Sequence, residues 1–231
     1  MAIQIVDMLI NGTKELLDNK ERFMDSLTLV LKPITETNRK CEHAEWNDLG
    51  LFLALDAGTH GGDSATAYLP ADGISKIAEE FDASVTNLYD IATENAERNK
   101  GPVVADMSAL LSRMMNDSSA DAFTDAEPSA YHKSQMLVMS NRSGIQGATS
   151  VLFADEKLTE VCKAWNTDSV YLLPSSIHEW IIPNPNFGEL DPDVLRDMVQ
   201  SINQAEVAEK DRLSDSLYQF TIGKGISIVE P

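Results

Sequence analysis

The chain has 231 residues, 43% of them hydrophobic, which is enough for a sizeable core in one large domain or two small packed halves and excludes disorder throughout. Its 37 Asp and Glu against 18 Lys and Arg leave a net charge of −19, which opposes nonspecific binding to nucleic acid or an anionic membrane and favours a protein partner with a basic surface. No run of about 18 apolar residues occurs, the start "MAIQIVDMLINGTKELLDNK" lacks signal-peptide character, and Cys41 and Cys162 stand far apart, so a cytoplasmic chain without a disulfide framework is expected.

Residues 3–20 carry Ile3, Val6, Met8, Ile10, Leu16 and Leu17 in a loose helical rhythm broken at Asn11 and Gly12. "SLTLVLKP" and "DLGLFLALD" then read as strands, the second buried on both faces. "GTHGGD" supplies turn residues, which folds "SATAYLP" back as an antiparallel neighbour. Helical spacing resumes with Ile74, Ile77, Ala78 and Phe81, and again after the N-cap Ser84 with Val85, Leu88, Ile91 and Ala92 on one face. A third helix is expected in "PVVADMSALLSRMM", opening at Pro102.

Residues 116–134 have little periodicity and read as a linker or long loop between an acidic half, 1–115, and a second half, 135–231. In the second half, "QMLVMSN", "RSGIQG" and "GATSVLF" suggest a hairpin. A helix with Leu158, Val161, Cys162 and Trp165 on one face follows, then strands at "SVYLLP" and "EWIIP". Asp191 caps a helix that Pro192 starts and that carries Val194, Leu195, Met198, Val199 and Ile202. Short extended pieces lie at "SLYQF" and "ISIV". The expected class is α+β, with mostly antiparallel sheet segments and helices packed on them.

Three stretches bear on chemistry. In "LLPSSIHEWIIPNPN", Ser176, His178 and Glu179 are the catalytic candidates. In extended backbone His178 and Glu179 point to opposite faces. Ser176 and His178 would stand about 6.5–7 Å apart between Cα atoms, too far for a ready hydroxyl–imidazole contact. No GxSxG elbow surrounds either serine, so a turn that shapes the scaffold is the plainer reading. In "CEHAEW", Cys41, His43 and Glu45 would share a face if extended, a weak metal-ligand pattern; no HExxH, paired CxxC or calcium loop is present. The glycines of "GTHGGD" and "NRSGIQGA" lack the lysine and helix opening of a phosphate loop, so no cofactor is expected.

The acidic segment is the stronger signal. From Cys41 to Glu97 the sequence holds 12 acids and one base, Lys76. Asp90, Glu94 and Glu97 form a stripe on one helix, with Asp72, Glu79 and Glu80 on the preceding one and its approach. A solvated face explains such charge. The sharper expectation is that these six carboxylates imitate a nucleic acid's phosphates and occupy a basic, nucleic-acid-binding surface of a partner protein.

The blocks "TETNRK", "ATENAERN", the small residues near "GAT", "LPSSIHE" and "LSDSLY" resemble, in that order, an uncharacterised domain-of-unknown-function family of anaerobic gut bacteria and their mobile elements. The resemblance implies a shared fold and attaches no reaction. It places Ser175, Ser176, His178, Glu179, Asn203 and Ser214 in family-like blocks without assigning them a role. The sequence thus favours a non-catalytic acidic binding protein over a small hydrolase or metal-dependent enzyme centred on His178, and leaves oligomeric state open.

Overall fold

The computed structural model describes residues 19–60, 63–116 and 123–230, so the helix read in 3–20 falls almost wholly outside it. The chain separates into two compact units, Met1–Trp46 with Gly50–Asn99, and Asn47–Leu49 with Lys100–Pro231. The α+β class with antiparallel pairing is borne out.

The first unit contains α1 (Lys20–Ser26), β1 (Leu27–Lys32), β2 (His43–Trp46), β3 (Leu49–His60), β4 (Asp63–Tyr68), α2 (Ile74–Glu80) and α3 (Val85–Lys100). Asn19 starts α1 by accepting the Arg22 amide at 3.1 Å. Strand β1 is buried on both faces, from Leu27 through Leu31, and β3 runs antiparallel along its edge from Leu27 opposite Leu55 to Lys32 opposite Gly50. Leu55 also faces Ala67 of β4, so β4 takes the other edge of β3, forming the expected hairpin.

Helix α3 begins where Ser84 Oγ accepts the Asn87 amide at 3.1 Å, and it buries Leu88, Ala92 and Ala96. Asn95 lies on the same buried face. Its Nδ2 donates to the Met24 and Leu27 carbonyls at 2.8 and 2.9 Å, so the buried amide is satisfied where α1 meets β1. Phe23 stacks on Phe81 with ring centroids 4.0 Å apart.

The second unit holds a six-stranded antiparallel sheet in the order β10-β9-β7-β8-β6-β5. Its strands are β5 (Val103–Asp106), β6 (Met136–Ser140), β7 (Ser169–Ser176), β8 (Glu179–Pro183), β9 (Tyr218–Thr221) and β10 (Gly225–Ile228). Its helices are α4 (Met107–Asn116), α5 (Asp155–Trp165) and α6 (Pro192–Ala205).

Two sequence expectations are corrected here. The helix expected from Pro102 starts only at Met107. Val103 to Asp106 are a strand paired with Leu137 to Ser140, and Asp106 caps α4 through the Ala109 amide at 2.8 Å. The β-branched Val103 and Val104 gain more from the sheet than from a helical turn. The strand expected in "GATSVLF" is instead a 3₁₀ segment, Gly147–Phe153. Strand β6 pairs with β5 on one edge and β8 on the other, leaving no edge for a hairpin partner.

Alternation along the strands divides the sheet into two faces. Trp180, Ile182, Leu172 and Tyr218 lie on one, covered by α5 and the 147–153 segment, with Trp180 edge-on to Tyr218 at 5.1 Å. Ile181, Leu173 and Val138 lie on the other, where α6 packs against β7, and α4 against β5 and β6.

Asp48 belongs to this second unit and accepts three hydroxyls, from Ser214 at 2.6 Å, Ser216 at 3.0 Å and Tyr218. Asn203 of α6 donates to the Ser214 carbonyl at 2.9 Å and to Asp215 Oδ1 at 2.7 Å, which fixes the same segment from the other side. Replacing Asp48 with Ala removes the carboxylate on which the hydroxyls of Ser214, Ser216 and Tyr218 converge. Urea unfolding of Asp48→Ala is expected to show a loss of about 2 kcal/mol; an unchanged midpoint and slope would remove the role.

Tyr131 is fully buried in the 3₁₀ turn Pro128–Lys133, and Trp165 Nε1 donates to its carbonyl at 2.8 Å. Burial, then the carboxylates of Asp125, Glu160 and Glu127, push its phenol up to about 12 from 10.0. The unfolded phenol therefore ionises first. The stability it contributes is complete below pH 10 and is lost as pH rises from 10 through about 12. Thermal melts across that window should show a smaller alkaline loss in Tyr131→Phe than in the parent chain; equal losses would contradict the assignment.

Candidate functional site

The β7–β8 hairpin determines what the serine and histidine stretch can do. Ser176 pairs with Glu179, so Ile177 and His178 form a two-residue tip. Strand β7 runs through Pro174 to Ser176, with the register shift between those two residues accommodating the proline. Ser176 Oγ accepts the backbone amide of His178 at 3.1 Å, the local bond expected of a turn serine. Ser140 Oγ donates to the His178 carbonyl at 2.7 Å. Glu179 points elsewhere and accepts the Ser175 hydroxyl at 3.3 Å.

The imidazole is likewise committed. Its Nδ1 accepts the Gln146 backbone amide at 3.2 Å, which leaves the ring proton on Nε2, 3.8 Å from Asp211 Oδ1. A histidine that activates a serine needs a basic nitrogen aimed at the hydroxyl. Here that nitrogen meets an amide, and both nearby hydroxyls bond to backbone atoms of His178. The arrangement does three structural jobs: it closes the hairpin, anchors Gln146 at the start of the 147–153 segment, and faces Asp211. Ile177 joins the same junction, its amide donating to the Asp211 carbonyl at 2.8 Å and its carbonyl accepting from Ala148 at 3.2 Å.

Cys41 and His43 meet through backbone, with Nδ1 donating to the Cys41 carbonyl at 2.7 Å, while the ring lies 4.9 Å from that of Phe52. Among the described residues no group of three or more His, Cys, Asp or Glu is placed to hold a metal ion. Cys162 is buried, and burial with nearby Asp168 pushes its thiol up to about 11, away from the reactive thiolate.

The acidic candidates are placed differently. Asp72, Glu79, Glu80, Asp90, Glu94 and Glu97 are all exposed. Among the described residues none of the six is in an ion pair; Asp82, beside them, lies 3.9 Å from Lys20. Glu79, Asp82 and Asp90 line one polar hollow of about 650 Å³ with Ser84, Thr86 and Asn87, at the turn joining α2 to α3. The spacing in sequence identified the stripe on α3. The hollow was not legible there, because it depends on the angle between two helices.

Sequence reasoning missed Gln146, Ser140 and Asp211 as the surroundings of His178. Each reaches it through backbone atoms or across more than 30 residues, and neither leaves a motif. One signal was available in Gly147: a Cβ there would collide with Ser140 Oγ and the His178 carbonyl and stand 2.9 Å from the Asn141 nitrogen. Gly147→Ala is therefore expected to destabilise the chain by about 3 kcal/mol in chemical unfolding, and a neutral effect would contradict this packing.

No curated protein and no solved structure matches the chain. A family of unknown function, DUF5688, matches residues 36–221, a span that takes in the acidic helices, the His178 hairpin and the Asp48 partners Ser214, Ser216 and Tyr218. The chain belongs to the DUF5688 family.

Proposed function

We propose that this chain is a non-catalytic acidic binding protein, acting in the cytoplasm of gut anaerobes or from their mobile elements. In this reading the carboxylates of α2 and α3 occupy the basic, nucleic-acid-binding surface of a partner protein. One observation carries the proposal. Six exposed carboxylates share two consecutive helices and their approach with two exposed bases, Lys76 and Arg98, and are not neutralised by ion pairs among the described residues. Such a field accelerates encounter with a cationic groove and repels free nucleic acid. Among the described residues no helix is long and apolar enough to cross a membrane. The second reading of the sequence, an enzyme centred on His178, draws less support from the geometry, since the basic ring nitrogen accepts an amide.

The test is recovery of partners from native lysate by the full chain at about 50 and about 200 mM salt, with identification by mass spectrometry. A nucleic-acid-binding protein, released by the higher salt and displaced by added duplex DNA, is the expected result. Glu79→Lys with Glu94→Lys should weaken that complex about tenfold or more. Retention that is indifferent to salt and to these two substitutions would contradict the proposal.

A further inference from the structure

On the second unit's Ile181 face, apolar packing is divided into two separate clusters. One gathers Val103, Ala105, Leu110, Phe123 and Val138 beneath α4. The other gathers Leu173, Leu195, Val199 and Leu217 beneath α6. Between them lies a cavity of about 570 Å³, floored by Leu173 and Ile181, with Met107 and Met136 on one side and α6 on the other.

Helix α6 contributes more apolar surface than its own packing uses. Leu195 and Val199 are 6% and 4% exposed, whereas Val194, Met198 and Ile202 are 58%, 42% and 42% exposed. These three are spaced by four residues and form one stripe about 12 Å long, the pattern a second helix reads with its own i, i+3, i+4 and i+7 side chains. Methionines on both walls suit such a surface, since their unbranched side chains adapt to the shape laid against them.

Charge selects the occupant. The charged residues lining the cavity are Glu189 and Asp191, with no Lys, Arg or His among the lining residues. Arg196, the basic residue of α6, is held by Asp193 at 2.6 Å. A second copy of this chain pairing through the same face would bring its own Glu189 and Asp191 against these two, and a fatty acid would bring a carboxylate. We infer that the groove between α4 and α6 binds an amphipathic helix of a partner protein, with an apolar face in the groove and lysines or arginines over Glu189 and Asp191. The inference does not depend on the acidic face of α2 and α3.

Two synthetic peptides test it, each about 18 residues long with leucine on one helical face, one carrying lysine and the other glutamate elsewhere. The full chain, labelled at its methionine methyl groups, is titrated with each by NMR. The lysine peptide is expected to shift the signals of Met107, Met136 and Met198 while leaving Met139, buried on the Trp180 face of the same sheet, in place, and to bind about tenfold or more tightly than the glutamate peptide. Met198→Lys and, separately, Val194→Lys, both at exposed positions, should each weaken binding about tenfold. The Glu79→Lys, Glu94→Lys chain should keep the three shifts, which separates this site from the acidic helices. The inference is overturned if the lysine peptide leaves those methyl groups unmoved, if the glutamate peptide binds equally well, if dodecanoate shifts them at lower concentration than either peptide, or if they move on diluting the chain alone as its sedimentation mass falls. Should a variant unfold, the methyl map of the parent chain decides.

Discussion

Strand β8 is the constraint from which the second unit follows. Its five residues pair with β7 on one edge and β6 on the other, so its register sets both neighbours. On one face Trp180 and Ile182 are fully buried, and Trp180 Nε1 donates to the Ala148 carbonyl at 2.9 Å, drawing the 147–153 segment down onto the sheet. On the other face Ile181 is only partly covered and floors the groove between α4 and α6. The strand's first residue follows the His178 tip. One short strand therefore fixes the hairpin, the polar junction at its end and the apolar recess on its open face.

That dependence explains why a stretch with the composition of an active site is committed to structure. The two hydroxyls that reach the His178 backbone, and the amide that reaches its ring, hold a two-residue turn against a segment that passes within contact of it at Gly147. Catalytic serine–histidine pairs keep the hydroxyl–imidazole bond available. Here each partner is satisfied by main chain, which is the cheapest way to leave no buried polar group unpaired.

Much of the fold was legible in the sequence, and the exceptions share a cause. The alternation in "SLTLVLKP" and "DLGLFLALD", the caps at Ser84 and Asp191, and the apolar face Leu158, Val161, Cys162 and Trp165 each correspond to an observed element. Local pattern was sufficient there because a single period described the burial. It failed at Val103–Asp106 and Gly147–Phe153, where the deciding fact was which edges of β6 were already occupied. At Gly147–Phe153 tertiary pairing overrode the local pattern, whereas at Val103–Asp106 pairing and β-branched propensity act together. The outward stripe of Asp90, Glu94 and Glu97 was readable for the same local reason, whereas the Asp48 cluster joins residues more than 160 positions apart and left no trace in spacing.

The physical picture is a scaffold whose chemistry-bearing side chains are turned to structural use, while its excess charge and its spare apolar surface face outward. Zero-length carbodiimide coupling of the chain in native lysate, where the proposed basic partner would be captured, tests that picture most directly, because it joins carboxylates to lysines only where they touch. The account predicts couplings at Asp72, Glu79, Glu80, Asp90, Glu94 or Glu97 that disappear as salt is raised. Couplings confined to other carboxylates and insensitive to salt, with a small molecule held at His178 in the same preparation, would contradict it.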